Sequence, residues 1–167
     1  MLKVEDMERF RKIRADYKDK KIVFSSGTFD LPHAGHVLFF EDCKKLGDVL
    51  VVGVGSDAIT RARKGAERPI VNEHVRLKTI ASFKPVDYCF LDNNDGYEDP
   101  LNFIQDVFKN LKPDIYVIND DAFDIAYREE LSKKHNLKLV TLKRSCPPEF
   151  ENISTTKLIE KIKKLAF

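Results

Sequence analysis

The chain has 167 residues, 43% hydrophobic and 34% charged, with a net charge of +2 at pH 7. That length predicts a single domain with a real core, and so small a charge argues against nucleic acid as the partner. Three distant cysteines without a CxxC pair argue against disulfides or a cysteine-rich zinc site, and the charged first residues and short apolar runs argue against a signal peptide or membrane span; a cytoplasmic protein is expected.

Val4, Met7, Phe10, Ile13 and Tyr17 recur at helical spacing, predicting an amphipathic helix within residues 1–18. Residues 21–26 form an apolar run that reads as a buried strand, and 34–46 follow as a helix with Gly47 behind it. Val49 to Val54 is β-branched and too short for a helix, so it is a second strand. A short helix over 56–63 leads into a polar loop, and 72–83 is helical again. Strand 86–91, a loop at 92–96, and a helix over 100–110 with a proline near its start come next. Strand 114–118, helix 123–135, strand 137–142, a Cys-Pro-Pro loop and helix 154–165 complete the chain. The lysines at 157, 161, 163 and 164 read as a solvated face of that last helix.

Continuous apolar strands alternating with helices predict an α/β fold, a Rossmann-like doubly wound sheet of five parallel strands. In such sheets ligands bind beyond the carboxyl ends of the strands. Four polar segments lie there: the turn after the first strand, the loop after Gly55, Asn119-Asp120-Asp121, and the loop after Leu142.

The turn is Gly27-Thr28-Phe29-Asp30-Leu31-Pro32-His33-Ala34-Gly35-His36. Its two histidines are three positions apart, so on one helical turn they face the same way. The amides of a helix start favour an anion, and imidazoles beside them can donate to phosphate oxygens as charge develops. Gly35 lets phosphates approach the backbone. The pattern points to chemistry on a polyphosphate.

Gly27-Thr28-Phe29-Asp30, followed by His33, Gly35 and His36, resembles the signature of the cytidylyltransferase-like nucleotidyltransferase superfamily. Ile153-Ser154-Thr155-Thr156-Lys157 resembles that superfamily's second signature, at the start of its last helix. The resemblance covers roughly residues 20–165 and implies a nucleotidyltransferase domain over 19–167. It implies that an acceptor phosphate attacks the α-phosphate of a nucleoside triphosphate and pyrophosphate leaves, with Mg²⁺ bound mainly through the triphosphate and no protein metal site. His33 and His36 match the catalytic histidines. Gly27, Thr28, Phe29, Asp30 and Gly35 match the first nucleotide-binding segment, and Ser154, Thr155 and Thr156 the second. Lys64 and Arg76 match a loop lysine and a helix arginine that reach the triphosphate.

Each of these has a plainer reading. Ser154-Thr155-Thr156 also fits an ordinary helix cap. Lys64 competes with Arg61, Arg63 and Arg68 for its role, in what also reads as a mobile surface loop. Asp120 and Asp121 are placed as acceptor contacts, or as simple turn residues. Arg144 is placed as a further acceptor contact, although residues 145–152 separate it from the second signature. Gly53-Val54-Gly55-Ser56-Asp57-Ala58 fits a dinucleotide fingerprint but lacks a ribose-binding acid at the next strand end, so it is read as a decoy.

Within the superfamily the chain most resembles the adenylyltransferase domain of ADP-heptose synthases. The echoes are His33-Ala34-Gly35-His36-Val37, Arg68-Pro69-Ile70 and the entry to the fourth strand at Asp114. Thr28 stands where that group more often has cysteine, and Ile153-Ser154-Thr155-Thr156 also leans toward glycerol-phosphate cytidylyltransferases. The expected substrates are therefore ATP and a sugar 1-phosphate such as heptose 1-phosphate, with CTP and glycerol 3-phosphate as the alternative pair. Two other readings remain: a nucleotide-binding module that no longer reacts, and a module binding NAD through Gly53 and Gly55. A homodimer fits the resemblance.

Overall fold

The computed structural model describes residues 7–92, 102–143, 145–151 and 153–165. Five strands alternate with helices: α1 (Met7–Asp16), β1 (Ile22–Gly27), α2 (Ala34–Lys44), β2 (Val49–Gly55), α3 (Asp57–Lys64), α4 (Glu73–Ala81), β3 (Tyr88–Asp92), α5 (Asn102–Leu111), β4 (Ile115–Asn119), α6 (Ile125–Lys134), β5 (Lys138–Leu142) and α7 (Thr155–Leu165). The strands form one sheet in the order β3-β2-β1-β4-β5. Every pair is parallel, as the continuous apolar runs predict.

The chain leaves β1 first toward β2 and β3 and later returns to its other side as β4 and β5. The order therefore reverses at β1, and a crevice opens beyond its carboxyl end. That end is Gly27, where the histidine turn begins.

Alternation along β1 sends Ile22 and Phe24 to one face of the sheet and Val23 to the other. On the first face Phe24 lies between the rings of Phe90 and Tyr116, with Phe108 edge-on. Helices α1 and α5 cover this face, and Phe10 of α1 meets Phe90 at 4.8 Å. Thus α1 belongs to the same core. On the second face Phe39, Phe40 and Cys43 of α2 and Leu77 and Ile80 of α4 pack on Val23, Leu50, Val52 and Val54. Truncating a ring as enclosed as Phe24 costs about 3–5 kcal/mol.

Several boundaries differ from the sequence expectation by a residue or two. Helix α6 starts at Ile125 and not 123, because Asp124 adopts φ +51°. The expected strand over 86–91 begins at Tyr88 and runs to Asp92. Residues 3–6 of the expected first helix, the loop from 93 and the start of the expected helix at 100 lie outside the described residues. Among the described residues no helix is long and apolar enough to cross a membrane.

Candidate active site

The turn after β1 is locked from several directions. Phe29 and Leu31 both take positive φ, +49° and +44°, which folds the backbone back on itself. Asp30 sits between them, 2% exposed. Its carboxylate accepts from Arg68 Nε at 2.8 Å and from the amides of Ile70, Val71 and Leu31 at 2.9, 3.0 and 3.0 Å. Burial alone would push this carboxyl up; the Ile70 and Val71 amides and Arg68 outweigh it and hold it below the usual range. Asp30 therefore fastens the 68–71 loop to the turn. The side chain assigned to nucleotide contact is a structural clamp, although the residue still borders the cavity.

His33 and His36 cap α2 reciprocally. His33 Nδ1 accepts from the Gly35 amide at 3.0 Å, and His36 Nδ1 accepts from the His33 amide at 3.3 Å. The rings stack with centroids 4.0 Å apart, and His36 stands edge-on to Phe29. A neutral imidazole that accepts at Nδ1 carries its proton on Nε2. Both rings are thereby fixed as Nε2 donors at the start of α2, where the helix adds positive potential. Gly35 has no alternative here: a Cβ would lie 2.9 Å from the His33 ring and 3.4 Å from the Ile153 carbonyl.

That carbonyl belongs to the segment entering α7. Thr155 Oγ1 donates to the Asp30 carbonyl at 2.8 Å, across 125 residues. Ser154 Oγ accepts from the Lys157 amide at 3.3 Å, so it does cap the helix. The capping reading and the anion-site reading describe the same residue. Two helix N-termini, α2 and α7, now border one cavity of about 550 Å³. That volume suits a small-molecule ligand.

Gly27, Thr28, Phe29, Gly35, Ser154, Thr155 and Thr156 all line this cavity, with His33, His36 and Lys64. Asp121 lines it as well. Asp120 does not: it is exposed, and its amide donates to the Leu142 carbonyl, closing the ends of β4 and β5. Arg144 lies outside the described residues. The 145–151 segment forms part of the wall through Ser145, Cys146, Phe150 and Glu151, and Ser145 is hydrogen-bonded to Asp42 of α2.

Arg76 is the clear correction. It is 0% exposed and does not line the cavity. Its guanidinium pairs with Asp57 at 2.7 Å and donates to the carbonyls of Val71 and Thr28. A buried charge needs such partners, and their number leaves it positioning the turn from behind. Arg68, which the sequence offered as a rival to Lys64, also lines the cavity, as do Ser25, Phe123 and Arg128, which the sequence did not single out. The hydroxyl of Ser25 and Oδ1 of Asn119 are buried without a hydrogen-bond partner, as expected of polar atoms kept for a ligand.

The cytidylyltransferase-like family model matches residues 24–161. The chain belongs to this family, and it is a nucleotidyltransferase. The bifunctional protein HldE of Campylobacter jejuni subsp. doylei is 40% identical over 147 residues, 87% of this chain and 28% of that protein. HldE of Helicobacter acinonychis is 37% identical over 163 residues, 97% of this chain and 32% of that protein. The chain thus spans about a third or less of these relatives. A lipopolysaccharide core biosynthesis protein from Thermoplasma volcanium is 31% identical with a TM-score of 0.59, covering 75% of this chain and 97% of its own. A pantoate-beta-alanine ligase from Francisella tularensis, 18% identical with a TM-score of 0.63 over 94% of this chain and 75% of its own, shares the fold.

Proposed function

We propose that this enzyme transfers AMP from ATP to a sugar 1-phosphate, with heptose 1-phosphate as the favoured acceptor. An oxygen of the acceptor phosphate bonds to the α-phosphorus of ATP. The bond from that phosphorus to the bridging oxygen of the β-phosphate breaks, and pyrophosphate leaves with the electron pair. No protein nucleophile is required. The carrying observation is the convergence of two helix N-termini and two Nε2-donor histidines on one cavity. These fixed dipoles would stabilise the charge that builds on the phosphates in an in-line displacement. Likeness to the HldE proteins supports ATP and heptose 1-phosphate over the CTP and glycerol 3-phosphate pair.

Mg²⁺ fits as a companion of the triphosphate. Among the described residues no cluster of three histidine, cysteine, aspartate or glutamate side chains could cage a metal. Asp121 borders the cavity, and Mg²⁺ commonly takes one or two carboxylates beside substrate phosphates and water. Bound there, it would offset phosphate charge.

The test is pyrophosphate release from ATP, CTP, GTP and UTP, each with heptose 1-phosphate, mannose 1-phosphate and glycerol 3-phosphate. Turnover with ATP and heptose 1-phosphate above the other pairs is expected. Preference for CTP and glycerol 3-phosphate overturns the specificity, and ATP binding without any turnover overturns transfer.

A further inference from the structure

Between β5 and α7 the chain forms a strap, residues 145–151, to which the transfer chemistry above gives no task. It is the stretch that separates Arg144 from Ile153-Ser154-Thr155-Thr156. The strap is tied to both helices whose N-termini border the cavity. Ser145 is hydrogen-bonded to Asp42 of α2, and Glu151 pairs with Lys161 of α7 at 3.3 Å. In between it closes on itself. The Phe150 amide donates to the Pro147 carbonyl at 2.9 Å, and Cys146 Sγ donates to the Phe150 carbonyl at 3.4 Å. Residue 150 is therefore held at a set place relative to the two helix starts that favour anions.

Two phenylalanines on the cavity wall, Phe123 and Phe150, are each 41% exposed. Their rings are treated differently. Phe123 carries two guanidinium groups, Arg63 at 3.5 Å and Arg128 at 4.2 Å from its ring centre. Among the described residues Phe150 has no aromatic ring and no cation against it. An aromatic face left open to water gains by meeting a flat apolar surface. Phe150 stands four residues before Ser154, and four extended residues span at most about 14 Å. The ring is thus within one nucleoside triphosphate's length of the start of α7. Every nucleobase has a face that stacks on an aromatic side chain, and the two fused rings of a purine cover more of a phenyl ring than a pyrimidine does.

We propose that Phe150 is the base-stacking residue of this enzyme, and that through it the strap selects a purine triphosphate over a pyrimidine one. The phenyl ring packs on the base while the starts of α2 and α7 hold the phosphates. The assignment rests on the transfer reading above and deepens it. It supplies the choice of base that the histidine turn, whose donors suit any triphosphate, does not make.

The chain contains no tryptophan, so Phe150→Trp introduces a single fluorophore at the stacking position. ATP, CTP and inorganic tripolyphosphate are titrated separately, with binding followed in parallel by calorimetry. ATP should quench the emission strongly and CTP less. Tripolyphosphate should bind and leave it unchanged. Phe150→Ala, at an exposed position, should fold as the wild type does yet bind ATP about tenfold more weakly, the scale of one lost base–aromatic stack. Its affinity for tripolyphosphate should not change, and Phe150→Tyr should keep the wild-type affinity for ATP. Unquenched emission while ATP binds, equal quenching by tripolyphosphate, or wild-type ATP affinity in Phe150→Ala overturns the stack. Equal quenching by CTP overturns purine selection. If Phe150→Ala keeps the wild-type KM for ATP while pyrophosphate is released, the stack falls and transfer stands. If the quenching and the tenfold loss appear but the wild type never releases pyrophosphate, transfer falls and the stack stands.

Discussion

Two buried aspartates, Asp30 just beyond β1 and Asp92 at the end of β3, are treated in opposite ways. Asp30 accepts from four donors and is held below the usual carboxylate range. Asp92 has an unpartnered oxygen and is pushed up to about 7. The same residue type at the same depth thus marks finished structure in one place and unmet capacity in the other. Burial and residue identity do not separate these cases; the count of donors does.

The turn that Asp30 holds should carry the larger consequences. His36→Ala is expected to lower kcat about 10²–10³-fold, the scale of one lost transition-state donor, in steady-state pyrophosphate release. Wild-type turnover would remove His36 from the chemistry. Asp30→Ala should destabilise the fold by about 3 kcal/mol in denaturant unfolding, because it strands Arg68 and three amides. A loss under 1 kcal/mol would show the clamp to be dispensable.

The pH response should divide the pair. Asp30 has a folded pKa below its ordinary 3.8, so its stabilisation is present above that pH and lost as pH falls through the lowered value. Asp92 has a folded pKa raised from 3.8 to about 7, so the folded state binds its proton more tightly. Stability is favoured below pH 3.8 and drops as pH rises toward 7. Thermal unfolding of Asp92→Asn should therefore show a flatter profile between these limits than the wild type. An unchanged slope would mean that Asp92 is not the group responsible. The smallest effect is expected from Thr155→Val, which keeps shape but removes the donor to the Asp30 carbonyl. About 1 kcal/mol of stability should go, with a raised KM for ATP. A normal KM would separate the clamp from nucleotide binding.

Much of this was legible in the sequence. The β-branched run of β2 and the glycine-flanked histidine pair announce a buried strand and a strand-to-helix turn with short-range signals. Arg76 was misplaced because its type suggests a ligand for phosphate, while its surroundings decide otherwise. It stands one turn before Ile80, on the face of α4 that packs inward, and that spacing was the available clue. Asp30 looked like part of a nucleotide motif, and its donors come from residues 68–71, which no local pattern links to it. Phe123 and Arg128 lie far along the chain from Arg63, so only the fold could bring the three together.

The Thr155–Asp30 contact also bears on how the molecule comes into being. It joins residues 125 positions apart, near the two extremes of the described chain. Closing such a span is slow compared with forming a local turn, and it cannot happen until α7 has been synthesised. A nascent chain can thus assemble its sheet and histidine turn early and still lack the α7 side of the cavity. The cavity thus gains its second wall only when α7 docks against the turn after β1.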